Sequence, residues 1–281
     1  MSAFSKKINF VLIFSVNMAN PNGDPLSENI PRTTIDGRGW CTSECIRRKI
    51  RNRLQDLGYE IYVKSDDRCD DGCKDLKTRA EKAGMNKITD RNEFCEKACR
   101  NWFDVRTFGQ VFAFNGFGIK SIGVRGPVTN SEAFSVLPVD IESVQITKST
   151  SGEVKDKERG SDTMGMKHFV RHGVYVVKGS VSVNLAEKTG FTEEEADVIK
   201  ECLRTLFVND ASSARPEGSM EVNKLFWFTQ DANSLSPSPA QVQRSVKVTV
   251  KPGVDTPSSI DDYDITVTPL EGVEVEEIDG I

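Results

Sequence analysis

The run INFVLIFSV at residues 8–16 is apolar almost throughout, which predicts a strand buried on both faces or central in a sheet. The pattern breaks at NPNGDP, residues 20–25. Two prolines without amide donors and an Asn-Gly pair favouring positive φ predict a stiff loop, out to about Gly39. From about Thr42 to Leu57 the period becomes helical, with Ile46, Ile50, Leu54 and Leu57 on one stripe. Arg47, Arg48, Lys49, Arg51 and Arg53 fall largely off it. Gly58 ends the helix, and residues 59–63 predict a short strand. Residues 66 to about 113 read as helical. SIGVRGPVTN, 121–130, predicts a strand broken at Gly126-Pro127, and 136–147 an extended segment. A polar loop at 149–166 leads to 168–184, where VYVVKGSVSVN alternates as a strand does. Thr192 with Glu195 is a capping box, and Ala196, Ile199, Leu203, Leu206 and Phe207 give the following helix its apolar face. Strands are predicted at 225–228 and 246–250. Phe14, Phe108, Phe112, Phe207, Phe226, Trp227 and Phe228 are assigned to the core.

The order strand, helix, strands, helix, strand indicates the α+β class, a modified ferredoxin-like (RRM-like) core with long insertions. The expected organisation is one domain over 1–250, with a helical insertion at about 64–115, a second insertion at 147–170 and an acidic tail at 251–281. No apolar run approaches the ~20 residues of a membrane helix. The N-terminal run reads as a core strand rather than a signal peptide, so no membrane association and a cytoplasmic location are expected. Net charge is −5, which on its face argues against nucleic acid. The distribution reverses this: residues 251–281 hold Lys251 against nine acids, leaving residues 1–250 with 36 basic and 33 acidic side chains. A mildly basic body can bind nucleic acid on one face.

Seven cysteines, an odd number, do not suggest a secreted disulfide scaffold. Cys41/Cys45, Cys69/Cys73 and Cys95/Cys99 each enclose three residues, a spacing that puts both sulfurs on one helix face. Cys69, Cys73, Cys95 and Cys99 are a candidate structural zinc site, since thiolates suit tetrahedral zinc. C-x₃-C is a poorer knuckle than C-x₂-C, and plain buried thiols are the alternative.

NPNGDP, then IPR, then a CIRRKIRN helix, then DVRTFGQVF, GVRGPV and DTMGMKHFV, in that order, resemble one family. The chain resembles the backbone subunit of type I CRISPR interference (Cascade) complexes, closest to the type I-C form, in the RAMP superfamily. The resemblance covers about residues 8–230. It implies a non-catalytic, RRM-like subunit that coats CRISPR RNA (crRNA) in a helical filament of its own copies. A protruding thumb hairpin displaces guide bases at intervals, and the others pair with target DNA. Other Cascade subunits complete the antiviral ribonucleoprotein, and cleavage falls to a recruited helicase-nuclease.

On that resemblance, Arg48 and Lys49, with Arg47 and Arg51 behind them, are the leading RNA-phosphate contacts. Phosphate contacts give affinity without reading sequence. The bland alternative is a solvated helix face. Asn22, Arg32 and Arg125 join them by position. The loop and helix together would form one side of the guide groove; the loop could equally serve subunit stacking, and a structural turn leaving the first strand is its bland alternative. Residues 149–170 are the expected thumb, with Met164, Met166 and Lys167 near its tip, because methionines part bases of any identity. His168 and His172, four apart on a strand, are not read as metal ligands. Asp24 raises the alternative of a metal-dependent ribonuclease of the type III-like backbone class. A lone Asp in a turn caps its own backbone, so catalysis is rejected. A zinc-stabilised interaction module unrelated to RNA is the third possibility.

Overall fold

β1 (Lys6–Ala19) begins the fold in the computed structural model, which describes residues 4–147 and 164–281. Inside the Pro/Gly/Asn loop, β2 (Gly23–Asp24) pairs with β3 (Ile30–Pro31), and β4 (Arg38–Cys41) follows. α1 (Ser43–Asp56) starts where Thr42 Oγ1 accepts from Cys45 N at 3.2 Å, and stops before Gly58 at φ +83°. α2 (Leu76–Lys82), α3 (Arg91–Asn101) and α4 (Phe103–Phe108) lie within the expected helical insertion; Asp75 and Asp90 cap the first two. β5 (Gly109–Phe112) pairs with β6 (Ile122–Arg125). Next come β7 (Val128–Asn130), β8 (Ala133–Pro138), β9 (Ile141–Thr147) and the long β10 (Met164–Val181). α5 (Val183–Thr189) and α6 (Glu193–Arg204) precede β11 (Met220–Asp231), and Thr192 and Glu195 close the capping box as expected. α7 (Pro239–Arg244), β12 (Val246–Val250), β13 (Tyr263–Val267) and β14 (Val273–Asp279) complete the chain.

The molecule mixes α and β around a large antiparallel sheet of eight strands, ordered β14-β11-β1-β10-β8-β4, with β7 and β9 also on β10. β1 lies between β10 and β11 and is covered on both faces, which is why its sequence reads as a continuous apolar run. Phe10, Leu12, Phe14 and Val16 meet Ile46, Ile50 and Leu54 of α1 and Ile199 and Leu203 of α6. Val11 and Ile13 face the other way, towards Phe226, Phe228, Val242 and Tyr263. The insertion carries a third core of its own, in which Tyr62 packs on Trp102 at 4.6 Å and on Phe112 at 5.0 Å between ring centroids.

Three expectations need correction. Residues 109–112, read as the end of the helical stretch, form strand β5 against β6. Residues 59–63 form no strand. Their polar backbone is taken by side chains instead: Asp104 accepts from Tyr62 N and Val63 N, while Arg79 and Arg48 donate to the carbonyls of Tyr62 and Val63. Residues 251–281 are no appended tail. β13 pairs with β12, and β14 becomes an edge of the main sheet against β11. Its carboxylates are accommodated by Lys224, which holds Glu277 at 2.8 Å and Asp279 at 2.7 Å, and by Lys200 on Glu276 at 2.9 Å.

Candidate nucleic-acid interface

The NPNGDP loop is stiff because its own groups tie it down. Asp24 Oδ1 accepts from Leu26 N at 3.1 Å, and Asp24 O accepts from Ser27 N and Asn29 N. The same carboxylate holds Arg32 at 3.2 Å, so Asp24 serves its turn and one ion pair. Arg32 also lies over the Trp40 ring at 5.9 Å. Asn22 Oδ1 accepts from Thr42 N at 2.9 Å, fastening the loop to the start of α1. That helix end is already served by an anion of the fold, since Glu132 accepts from Ser43 N at 3.0 Å and from Trp40 Nε1 at 2.7 Å.

Most of the basic helix turns inward. Lys49 is buried, pairs with Asp210 and sits over the Phe207 ring at 5.3 Å. Arg51 Nε donates to Asp104 at 2.8 Å, Arg48 to the Val63 carbonyl at 2.8 Å, and Arg47 pairs with Glu44 at 2.6 Å. The leading pair, Arg48 and Lys49, is thus committed to internal partners in this fold. The reason was not visible locally, because Asp104 and Asp210 stand 53 and 161 positions away from their partners. Lys49→Met is expected to cost about 2 kcal/mol in urea unfolding, limited because Asp210 keeps Arg215 at 3.0 Å. A substitution here reads stability before it reads RNA.

Two cations of the expected set have no partner among the described residues: Arg125, exposed on β6, and Lys167, half-buried on β10. Lys167 lies on the hairpin of β9 and β10, which runs in register from Ile141↔Val170 to Met164↔Thr147. Seven pairs at ~3.3 Å per residue make a ribbon about 20 Å long. Residues 148–163 and the side chain of Met164 lie outside the described residues. Val144 and Ile146 share one face of the ribbon and Met166 takes the other; they are 39, 50 and 49% exposed. Sequence reasoning passed over Val144 and Ile146, although the alternation in IESVQIT signals them. The two histidines each engage an oxygen through Nδ1, His168 with Ser143 Oγ at 2.7 Å and His172 with Asn17 Oδ1 at 2.6 Å.

The four cysteines offered for zinc do not assemble. Cys69 Sγ lies 3.1 Å from the Cys73 carbonyl and receives Arg79 Nη2 at 3.4 Å, whereas Cys95 and Cys99 belong to α3. Burial pushes the Cys99 thiol up to about 11. Among the described residues no group of three or more His, Cys, Asp or Glu is arranged to hold a metal. No helix there is long and apolar enough to cross a membrane.

A profile of the family described as "CRISPR-associated protein Cas7" matches residues 6–268. A curated Haloferax volcanii protein of that description is 24% identical over 209 residues, 66% of this chain and 60% of the relative. The chain therefore spans less than two thirds of that relative's length. Among solved structures, a chain of a "CRISPR RNA-guided surveillance complex, pre-nicking" superposes with a TM-score of 0.53 at 15% identity, covering 84% of this chain and 82% of its own. A chain of a "CRISPR RNA-guided surveillance complex" gives 0.46 at 18% identity, covering 83% and 73%.

Proposed function

Because the chain belongs to the family described as CRISPR-associated protein Cas7, we propose that it is a subunit of a CRISPR defence ribonucleoprotein that coats guide RNA without cutting it. The observation that carries this reading is the β9–β10 hairpin, a ribbon with exposed apolar side chains on both faces. An unpacked apolar ribbon is a liability unless something covers it. Stacked bases suit it, since aliphatic and thioether side chains part bases without reading hydrogen bonds. Arg125 and Lys167 supply phosphate attraction that is indifferent to sequence. Copies of the subunit follow one another along the guide, and target DNA is recognised by pairing with the displayed bases. Other surveillance subunits and a recruited helicase-nuclease complete the assembly. The core belongs to the RRM-like class on this reading, supported by β1 between β10 and β11 with α1 and α6 on one face. Asp24, engaged by its own turn and Arg32, supports a structural role for the loop rather than ribonuclease chemistry.

Fluorescence anisotropy with two unrelated single-stranded RNAs tests this. Both are expected to bind alike, and Arg125→Glu with Lys167→Glu is expected to weaken both at least about tenfold. Losing two phosphate contacts lowers the slope of log affinity against log salt by about 1.4. Unchanged affinity and slope in the folded double variant would overturn the reading.

A further inference from the structure

α7, β12 and β13 cover the middle of one face of the main sheet, where Val242 and Tyr263 pack on Val11, Ile13, Val174, Phe226 and Phe228. That cover stops short of the β8–β4 edge, where Phe134 and Trp40 stand opposite each other on neighbouring strands. Phe134 is also opposite Val176, which packs against the cover, so both rings belong to this same face. Neither ring enters any of the three cores. Phe134 is 40% exposed and Trp40 half-buried. Their centroids are 6.4 Å apart and their planes 26° from parallel. Trp40 is held in place, since its Nε1 donates to Glu132 at 2.7 Å and Arg32, itself anchored by Asp24, lies over the ring at 5.9 Å. Two nearly parallel rings are thus fixed at an open sheet edge.

An uncommitted cation stands beside them. Lys178 is opposite Val11 and two residues beyond Val176, which puts its side chain on the same sheet face as the rings. It is half-buried, and its ammonium has no partner among the described residues. Cross-strand diagonal neighbours such as Phe134 and Lys178 lie ~7–8 Å apart, within the span of a lysine side chain. The nearby carboxylate, Glu132, is already engaged by Trp40 Nε1 and by Ser43 N. A nucleotide brings a flat apolar face and an anion together, and so covers the rings and neutralises the ammonium at once. An aliphatic protein side chain supplies only the first and leaves Lys178 without a counter-ion. Stacking engages the face of a base and leaves its pairing edge open, as a displayed guide base requires.

We propose that Phe134 and Trp40 form a stacking site for an unpaired base of single-stranded RNA, with Lys178 receiving an adjoining phosphate. The proposal rests on the RNA-binding reading and adds to it a second base contact, on the sheet rather than on the ribbon.

The full chain, freed of nucleic acid, is titrated with a short mixed-sequence single-stranded RNA and with an abasic oligoribose phosphate of the same length. Tryptophan emission reports the site directly: of the three tryptophans, Trp102 and Trp227 are buried, and Trp40 alone is partly open. The RNA is expected to quench emission saturably and the abasic probe to leave it unchanged. Phe134→Leu keeps the bulk, removes the ring and is expected to weaken RNA at least about fivefold with no effect on the abasic probe, while Phe134→Tyr retains full affinity. Phe134 is outside the cores, so both variants keep the thermal midpoint. Lys178→Gln is expected to lower the salt slope of either probe by about 0.7. Unchanged emission, equal losses for the two probes in Phe134→Leu, or an unchanged slope in Lys178→Gln would overturn the proposal. If RNA binding also proves sensitive to Arg125→Glu with Lys167→Glu, the coating reading survives that failure. A chain that binds neither probe overturns both.

Discussion

Replacing Asp104 by alanine is expected to lower the unfolding free energy by about 4 kcal/mol and the thermal midpoint by about 10 °C. Asp104 is fully buried. Its carboxylate accepts from Tyr62 N at 2.6 Å, from Val63 N at 3.1 Å and from Arg51 Nε at 2.8 Å. Alanine leaves two amides and a guanidinium without an acceptor, and each such group carries its desolvation penalty unrelieved. The damage begins in the insertion, because Tyr62 is the ring shared by Trp102 and Phe112 in its core. Hydrogen exchange should show 59–82 losing protection before the central sheet does. Asp104→Asn keeps one carbonyl oxygen and is expected to lose roughly half as much. A loss below about 1 kcal/mol for the alanine variant in urea unfolding would contradict this account, since that is the size of an ordinary surface or minor core change.

Gly126→Ala is expected to cost about 3 kcal/mol, while Gly123→Ala, three positions earlier, stays within about 0.5 kcal/mol. A Cβ on Gly126 would stand 2.3 Å from Thr107 O and 2.4 Å from Gly109 N, both backbone atoms that cannot step aside. Gly109 meets it from the other side at φ +79°, where a Cβ would lie 2.4 Å from Val124 O. Nothing lies within 4 Å of a Cβ on Gly123. The close approach in GVRGPV is therefore between the end of α4 and the end of β6, one chain segment on another. Arg125, next to Gly126, is exposed. Equal effects of the two substitutions would show that the packing is looser than the geometry implies.

Elements with a strong period were legible because their partners scarcely mattered to the pattern. The apolar run of β1 announces burial on both faces, and the Thr192–Glu195 capping box marks the start of α6 whatever it packs on. Burial of the cations was not legible. Arg51 and Lys49 look like a solvated basic face until Asp104 and Asp210 arrive from distant parts of the chain. The same limit explains residues 59–63, whose strand-like composition meets side-chain acceptors and donors rather than a neighbouring strand. The acidic C-terminal stretch misled for another reason. Its charge set it apart as a tail, yet Val273, Val275 and Ile278 within β14 carry enough apolar character to join an edge that Lys200 and Lys224 neutralise. The cysteine spacing misled because Cys69 and Cys73 stand on irregular backbone ahead of α2 rather than on the helix that would align them.

Nuclease protection of guide RNA expressed together with the chain tests the central claim most directly. A coating subunit predicts protected fragments that lengthen by a constant increment with each bound copy, in step with a ladder of oligomers. Arg125→Glu with Lys167→Glu should erase both. A monomer that leaves the RNA fully digestible even at low salt would contradict the account.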